Sequence, residues 1–86
     1  MQYFLSKNFK KSFLRMSKKI QYKTSEQLNL FTKNHLDKQL NNHGLSGVYT
    51  GYRSININGD IRAIYEITND GFALFVDLGS HSKLYK

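Results

Sequence analysis

The chain has 86 residues, 13 of them Lys or Arg against 6 Asp or Glu, for a formal charge of +7, and it contains neither cysteine nor proline. A chain this short is expected to form one domain, residues 1–86, with a thin core, so a large enclosed cofactor pocket is not expected and any cleft should lie on exposed sheet surface. Without cysteine there is no disulfide framework and no thiolate metal site, and a composition 40% hydrophobic and 14% aromatic is that of an ordered globule.

A reducing cytoplasm suits such a chain. The first residues, MQYFLSKNFKKSF, put apolar side chains before the lysines and hold no long apolar run, so they read as neither a signal peptide nor a membrane span. The positive charge calls for a polyanionic partner, because bases that meet phosphates release condensed counterions. It is unevenly spread: Met1 to Lys33 carries eight Lys or Arg and only Glu26, whereas Asn34 to Lys86 has five of each sign.

Tyr3, Phe4 and Leu5 predict a strand, after which Ser6 caps a helix starting near Lys7. Phe9, Phe13, Met16 and Ile20, spaced by four, three and four residues, form one stripe of that helix at about 100° per residue. Lys7, Lys11, Arg15 and Lys18 fall opposite. A solvated charged back would account for them, but the lack of acids in this segment favours a phosphate-facing surface. Thr24 followed by Gln27 resembles a capping box, so a second helix is expected from about Ser25 to Asn34, with Leu28, Phe31 and His35 inward. KNHLDKQLNNHGLSG then reads as a loop anchored by Leu36, Leu40 and Leu45 and carrying His43.

Alternation predicts three strands, Tyr52 to Ile57, Asp60 to Thr68 and Phe72 to Gly79, joined at Asn58-Gly59 and Asp70-Gly71, both suited to type I′ turns. In the middle strand Ile61, Ala63, Tyr65 and Ile67 should face the helices, leaving Asp60, Arg62, Ile64 and Glu66 on the open face. The expected fold class is α+β: a short N-terminal strand, a two-helix hairpin and a twisted antiparallel three-stranded meander.

Cleaving RNA without a metal requires a base for the 2′-hydroxyl, an acid for the departing 5′-oxygen, and positive charge at phosphorus. His43, Asp60, Arg62 and His81 are of the right types and lie in four places that a meander can bring to one edge. Each has an ordinary alternative: a loop histidine, a turn aspartate, an arginine lying along a sheet, a turn histidine bonded by serine. Arg53 and Arg62, the arginines of the sheet region, offer forked phosphate ligands. Tyr49, Tyr52 and Tyr85 offer stacking surfaces, Tyr85 foremost, while Tyr65 more naturally fills the core. Spacing for a helical zinc site, a Gly-rich phosphate loop and a nucleophile elbow are all absent.

LSGVYTGYRSININGDIRAIYEI followed by FVDLGSHSKLY resembles the succession Leu-x-Gly, Gly-x-Arg, Asp, Ile-Tyr, Gly-[Ser/Thr]-His, [Phe/Tyr] of YafQ-like toxins in the RelE/ParE superfamily. The likeness is close from Leu45 to Tyr85 and weak before it. It implies the toxin of a type II toxin-antitoxin pair, a ribosome-dependent and metal-independent mRNA endonuclease needing no cofactor, with a cognate antitoxin, the ribosome and mRNA as partners. His43, Asp60, His81 and Tyr85 match the family's catalytic positions, and Arg62 matches an arginine of RelE-like relatives. Asn56 stands where YafQ-like proteins carry another histidine; an amide can hold phosphate or water but is no general base. The resemblance leaves two other readings open, a ParE-like gyrase poison and a non-catalytic RNA-binding relative.

Overall fold

The computed structural model describes residues 1–85. Its elements run β1 (Tyr3–Leu5), α1 (Lys7–Arg15), α2 (Lys18–Lys33), β2 (His43–Gly44), β3 (Arg53–Asn56), β4 (Ile61–Ile67), β5 (Ala73–Ser80) and α3 (His81–Leu84), an α+β arrangement. The expected meander, β3-β4-β5, forms the middle of a five-stranded sheet ordered β1-β5-β4-β3-β2. β1 pairs parallel to β5, with Tyr3 opposite Ala73 and Leu5 opposite Phe75. The two-residue β2 pairs antiparallel to β3, with His43 opposite Ser54. That strand lies inside the segment expected to be a loop; two residues carry no alternation to read.

The helices divide at a different place from the one expected. Ser17 caps a new helix by accepting from the Ile20 N–H at 3.2 Å, and Gln21 Nε2 donates to the carbonyls of Phe13, which also accepts from the Met16 N–H, and of Met16 at the end of α1. α1 therefore stops at Arg15, and Thr24 and Gln27 lie within α2 rather than at its start. Thr24 donates back to the Ile20 carbonyl at 2.8 Å, and Gln27 donates to the Asn56 carbonyl at 3.0 Å, tying α2 to β3. A Thr followed three residues later by Gln suits back-bonding inside a helix as well as a capping box, which is why the pattern misplaced the start.

Phe9, Leu28, Phe31 and Leu40 pack with Ile55, Ala63, Tyr65, Phe75 and Leu78 in a buried core on one face of the sheet. Phe31 sits edge-on to Tyr65 and to Phe75 at ring distances of 5.1 and 5.2 Å. His35 turns inward against Phe31, but Leu36 is 64% exposed and anchors nothing.

The turns are not type I′. Asn58 and Gly59 both keep negative φ; the Asn58 side chain instead accepts from the N–H groups of Asp60 and Ile61. At the second hairpin only Gly71 has positive φ, closing a turn in which its N–H donates to the Thr68 carbonyl. In β4, Ala63 and Tyr65 face the helices as expected, while Ile67 is 46% exposed and Ile64 is fully buried on the other face. A bulge in β5, where Asp77 lies opposite Ile64 and Phe75 opposite Tyr65, keeps both core residues inward. Among the described residues no helix is long and apolar enough to cross a membrane.

Candidate active site

The sheet face away from the helices carries the candidate chemistry. Register places Asn56, Arg62 and Gly79 in one row across it, and Ser54, Ile64 and Asp77 in the next. α3 folds back over this face: Leu84 lies about 3.5 Å from where a Cβ on Gly79 would be, so it rests on backbone that carries no side chain. The segment Leu45 to Tyr52 covers the face from the other side. It is closed by Leu45 N–H to Tyr52 carbonyl at 2.9 Å, and Gly47 at its turn needs the positive φ of 67°.

Between these two flaps lies an open cleft of about 390 Å³ lined by Asn41, His43, Leu45, Ser46, Arg62, His81 and Tyr85. His43, Arg62 and His81, expected from separate parts of the chain, thus meet at one place with Tyr85, while Asp60 does not line it. Each is held by a different local device. His43 Nδ1 lies 2.7 Å from the Asn41 carbonyl, an acceptor only, so Nδ1 carries the hydrogen and Nε2 is left with the lone pair in the neutral ring. Asn41 adopts φ of +45° to present that carbonyl, a conformation asparagine tolerates better than most residues.

His81 begins α3, its N–H donating to the Asp60 carbonyl at 3.0 Å, and Ser80 caps the turn by accepting from Lys83 N–H. Tyr85 sits one turn on, its N–H on the His81 carbonyl and its ring 4.6 Å from the imidazole. Arg62 is anchored through Nη1 alone, which meets the carbonyls of Asn58, Gly59 and Ile61 at 3.0, 3.2 and 3.3 Å. No carboxylate lies within 4 Å of it among the described residues, whose sole ion pair is the exposed Lys23–Glu26. The arrangement presents two imidazoles, one guanidinium and one phenol ring to whatever enters: proton donors and acceptors beside a positive charge.

Other expected residues lie elsewhere. Asp60 is an exposed turn residue next to the cleft that reaches His81 through its backbone. Asn56 neighbours Arg62 across the strands, with its Oδ1 buried and without a hydrogen-bond partner among the described residues. Arg53 points to the opposite face. Its Nε donates to Asn42 Oδ1 at 2.9 Å, and Asn42 in turn donates to the His35 carbonyl and the Tyr65 hydroxyl, both at 2.8 Å. Arg53 thereby braces the residue preceding His43 and does not line the cleft. Its replacement by Ala is expected to lower unfolding free energy by about 1–3 kcal/mol by removing the charged hydrogen bond that braces Asn42, which keeps its bonds to His35 and Tyr65; a urea midpoint equal to the parent's would refute that bracing role.

Lys7, Lys11, Arg15 and Lys18 are exposed on the helices, behind the sheet as seen from the cleft. Sequence reasoning passed over Asn41 and Asn42, which place His43; an Asn-Asn pair before a histidine is the only signal they left. Beside the cleft, Tyr49 lies edge-on to Tyr85 at 5.8 Å and to Tyr52 at 6.0 Å. Burial, and then the nearby Asp77 and Tyr85, push the Tyr49 phenol pKa up, so it stays protonated at neutral pH.

A sequence model described as "Bacterial toxin of type II toxin-antitoxin system, YafQ" matches residues 1–86. Among solved structures, YafQ from E. coli strain BL21(DE3) superimposes with a TM-score of 0.78 at 22% identity, covering 99% of this chain and 98% of that one. The E. coli DinJ-YafQ toxin-antitoxin complex gives 0.75 at 23%, covering 99% and 97%. A YoeB/ParE toxin from Agrobacterium tumefaciens gives 0.75 at 15%, covering 94% and 99%. Among curated proteins no match is found.

Proposed function

The chain belongs to the YafQ family of bacterial type II toxin-antitoxin toxins, and on that premise we propose that it is a ribosome-dependent, metal-independent endoribonuclease that cleaves mRNA and so inhibits translation. The observation that carries this reading is the meeting of His43, Arg62, His81 and Tyr85 around one open cleft. One imidazole, as base, takes the proton of the 2′-hydroxyl. The 2′-oxygen attacks phosphorus, the bond from phosphorus to the 5′-oxygen breaks, and the other imidazole, as acid, protonates that oxygen. The products are a 2′,3′-cyclic phosphate and a 5′-hydroxyl, with each proton accounted for.

His43, whose Nε2 has no hydrogen-bond partner among the described residues when Nδ1 serves Asn41, suits the base, and His81 the acid. Arg62, anchored by one nitrogen, keeps Nε and Nη2 for the phosphate oxygens, where charge grows in the transition state. Tyr85 stacks on the nucleotide beside His81. Asp60 sets His81 through its backbone, and Asn56 in the family's histidine position contributes no proton transfer.

Ribosomes programmed with a defined message and mixed with the purified chain test this directly: cuts within the message that depend on the ribosome support the reading, and intact message overturns it. A cognate antitoxin is expected, since the E. coli relative forms a toxin-antitoxin complex with DinJ, and the positive charge of this chain calls for an acidic segment that folds around it.

The basic helices lie behind the cleft, so they are assigned to docking on ribosomal RNA rather than to the cut strand. Replacing Lys7, Lys11, Arg15 and Lys18 together by Gln should weaken ribosome binding and flatten its dependence on log salt by about 3 to 4, roughly 0.7–0.9 for each of four lost phosphate contacts. Cleavage chemistry in the bound state should stay at the parent rate. Equal ribosome affinity at every salt concentration would reduce this face to solvation.

A further inference from the structure

The cleft holds one nucleotide's worth of chemistry, yet an aromatic surface continues beyond it. Tyr85 forms part of the cleft wall, Tyr49 stands edge-on to it at 5.8 Å, and Tyr52 stands edge-on to Tyr49 at 6.0 Å. The three rings come from two parts of the chain, the Leu45 to Tyr52 segment and the end of α3, and converge on the sheet face that bears Arg62. They are half-buried, unlike Tyr65 and Phe75 of the core, which are closed off from solvent. Tyr52 precedes Arg53, which lies opposite Tyr65, so it sits beside Glu66, four residues along β4 from Arg62. That is about 13 Å at the rise of a strand, longer than one nucleotide needs.

Charge along this path changes sign. The Arg62 guanidinium stands at the cleft, whereas Asp77 and Glu66 lie near the rings beyond it, each contributing to the raised pKa of the phenol beside it. Phosphates are attracted to the first part and repelled from the second. A strand held by its scissile phosphate at Arg62 must therefore lay bases, not backbone, on the tyrosines, and base-aromatic stacking is what such faces offer.

We propose that Tyr49, with Tyr52 behind it, is a nucleobase-stacking site for unpaired RNA that extends the cleft past Tyr85. This rests on the nuclease reading for the identity of the cut strand but is tested without cleavage. A 2′-O-methyl RNA hexamer lacks the attacking hydroxyl and so survives contact with the full chain. Since the chain has no tryptophan, its six tyrosines report binding through their own emission.

Tyr49→Leu keeps an apolar side chain but removes the ring face, and should raise the hexamer Kd roughly 5- to 150-fold, the equivalent of one stacked base. Tyr49→Phe, which keeps the ring, should bind within about 2-fold of the parent, well below the effect of losing a stack. Melting curves of both variants separate lost stacking from lost folding, and the Phe variant keeps the test decisive should the Leu variant unfold. Binding by Tyr49→Leu equal to the parent's overturns the inference, as does equal weakening in both variants or a parent that does not bind the hexamer. Ribosomal cleavage run alongside keeps the two claims apart. A parent that cuts while Tyr49→Leu binds and cuts equally well defeats the stacking site alone. A parent that binds through Tyr49 without cutting defeats the nuclease reading alone.

Discussion

Exchange of His81 for Gln is expected to slow single-turnover cleavage on programmed ribosomes by about 10²- to 10⁴-fold, the range of a lost general acid. Gln fills similar space and keeps the backbone N–H that meets the Asp60 carbonyl, so α3 should stay in place. What disappears is an imidazole that can hand over a proton, together with the ring contact to Tyr85 at 4.6 Å. His81 is exposed, so its loss should leave the melting midpoint nearly unchanged. Affinity for the ribosome should not move either, because the basic helices lie behind the sheet. A cleavage rate within a few-fold of the parent's would remove His81 from the chemistry.

Arg62→Ala is expected to cost roughly 10²- to 10³-fold in rate, comparable to removing one preorganised donor from a site where charge develops. The arginine is held by carbonyls through Nη1 and carries no paired carboxylate among the described residues, so its charge is undiverted. Because it acts most where phosphorus gains negative charge, kcat should fall more than KM rises. Lys at this position should recover only part of the rate, since an ammonium gives a point charge without the fork. Full recovery by Lys would show that charge alone matters, and a KM effect without a kcat effect would make Arg62 a binding residue only. The same nitrogen braces the Asn58 to Ile61 turn, so a modest loss of stability should accompany the Ala variant.

Much of this arrangement was legible because it rests on local pattern. Alternation in Ile61 to Ile67 marked a strand with Ala63 and Tyr65 inward, and Phe9 and Phe13 marked an amphipathic helix, although Met16 and Ile20 of the same stripe fall at its cap and in α2. What escaped was decided by competition between equally local options. Ser17 and Thr24 are both capping residues, and only packing selects Ser17, because Thr24 is buried against the sheet and spends its hydroxyl on the Ile20 carbonyl. Asn58-Gly59 suits a type I′ turn, yet the Asn58 side chain found better use holding the N–H groups of Asp60 and Ile61.

At the cleft, residue types indicated His43, Arg62, His81 and Tyr85 but not their grouping, which depends on α3 folding over Gly79 and on β2 pairing with β3. Arg53 shows the limit most clearly. Period two sets it in phase with Ile55 and Ile57 and so on the side opposite the cleft, but its partner there, the Asn42 side-chain oxygen, lies eleven residues away in sequence. No spacing within β3 encodes that partner.

The central claim is that this chain cuts mRNA on the ribosome, and mapping the 5′ ends of cellular mRNA after brief induction of the parent and of His81→Gln tests it most directly. New ends bearing 5′-hydroxyls are expected inside coding sequences of translated messages, present with the parent and absent with the variant. Intact messages in both, accompanied by DNA breaks of the kind a gyrase poison produces, would contradict it.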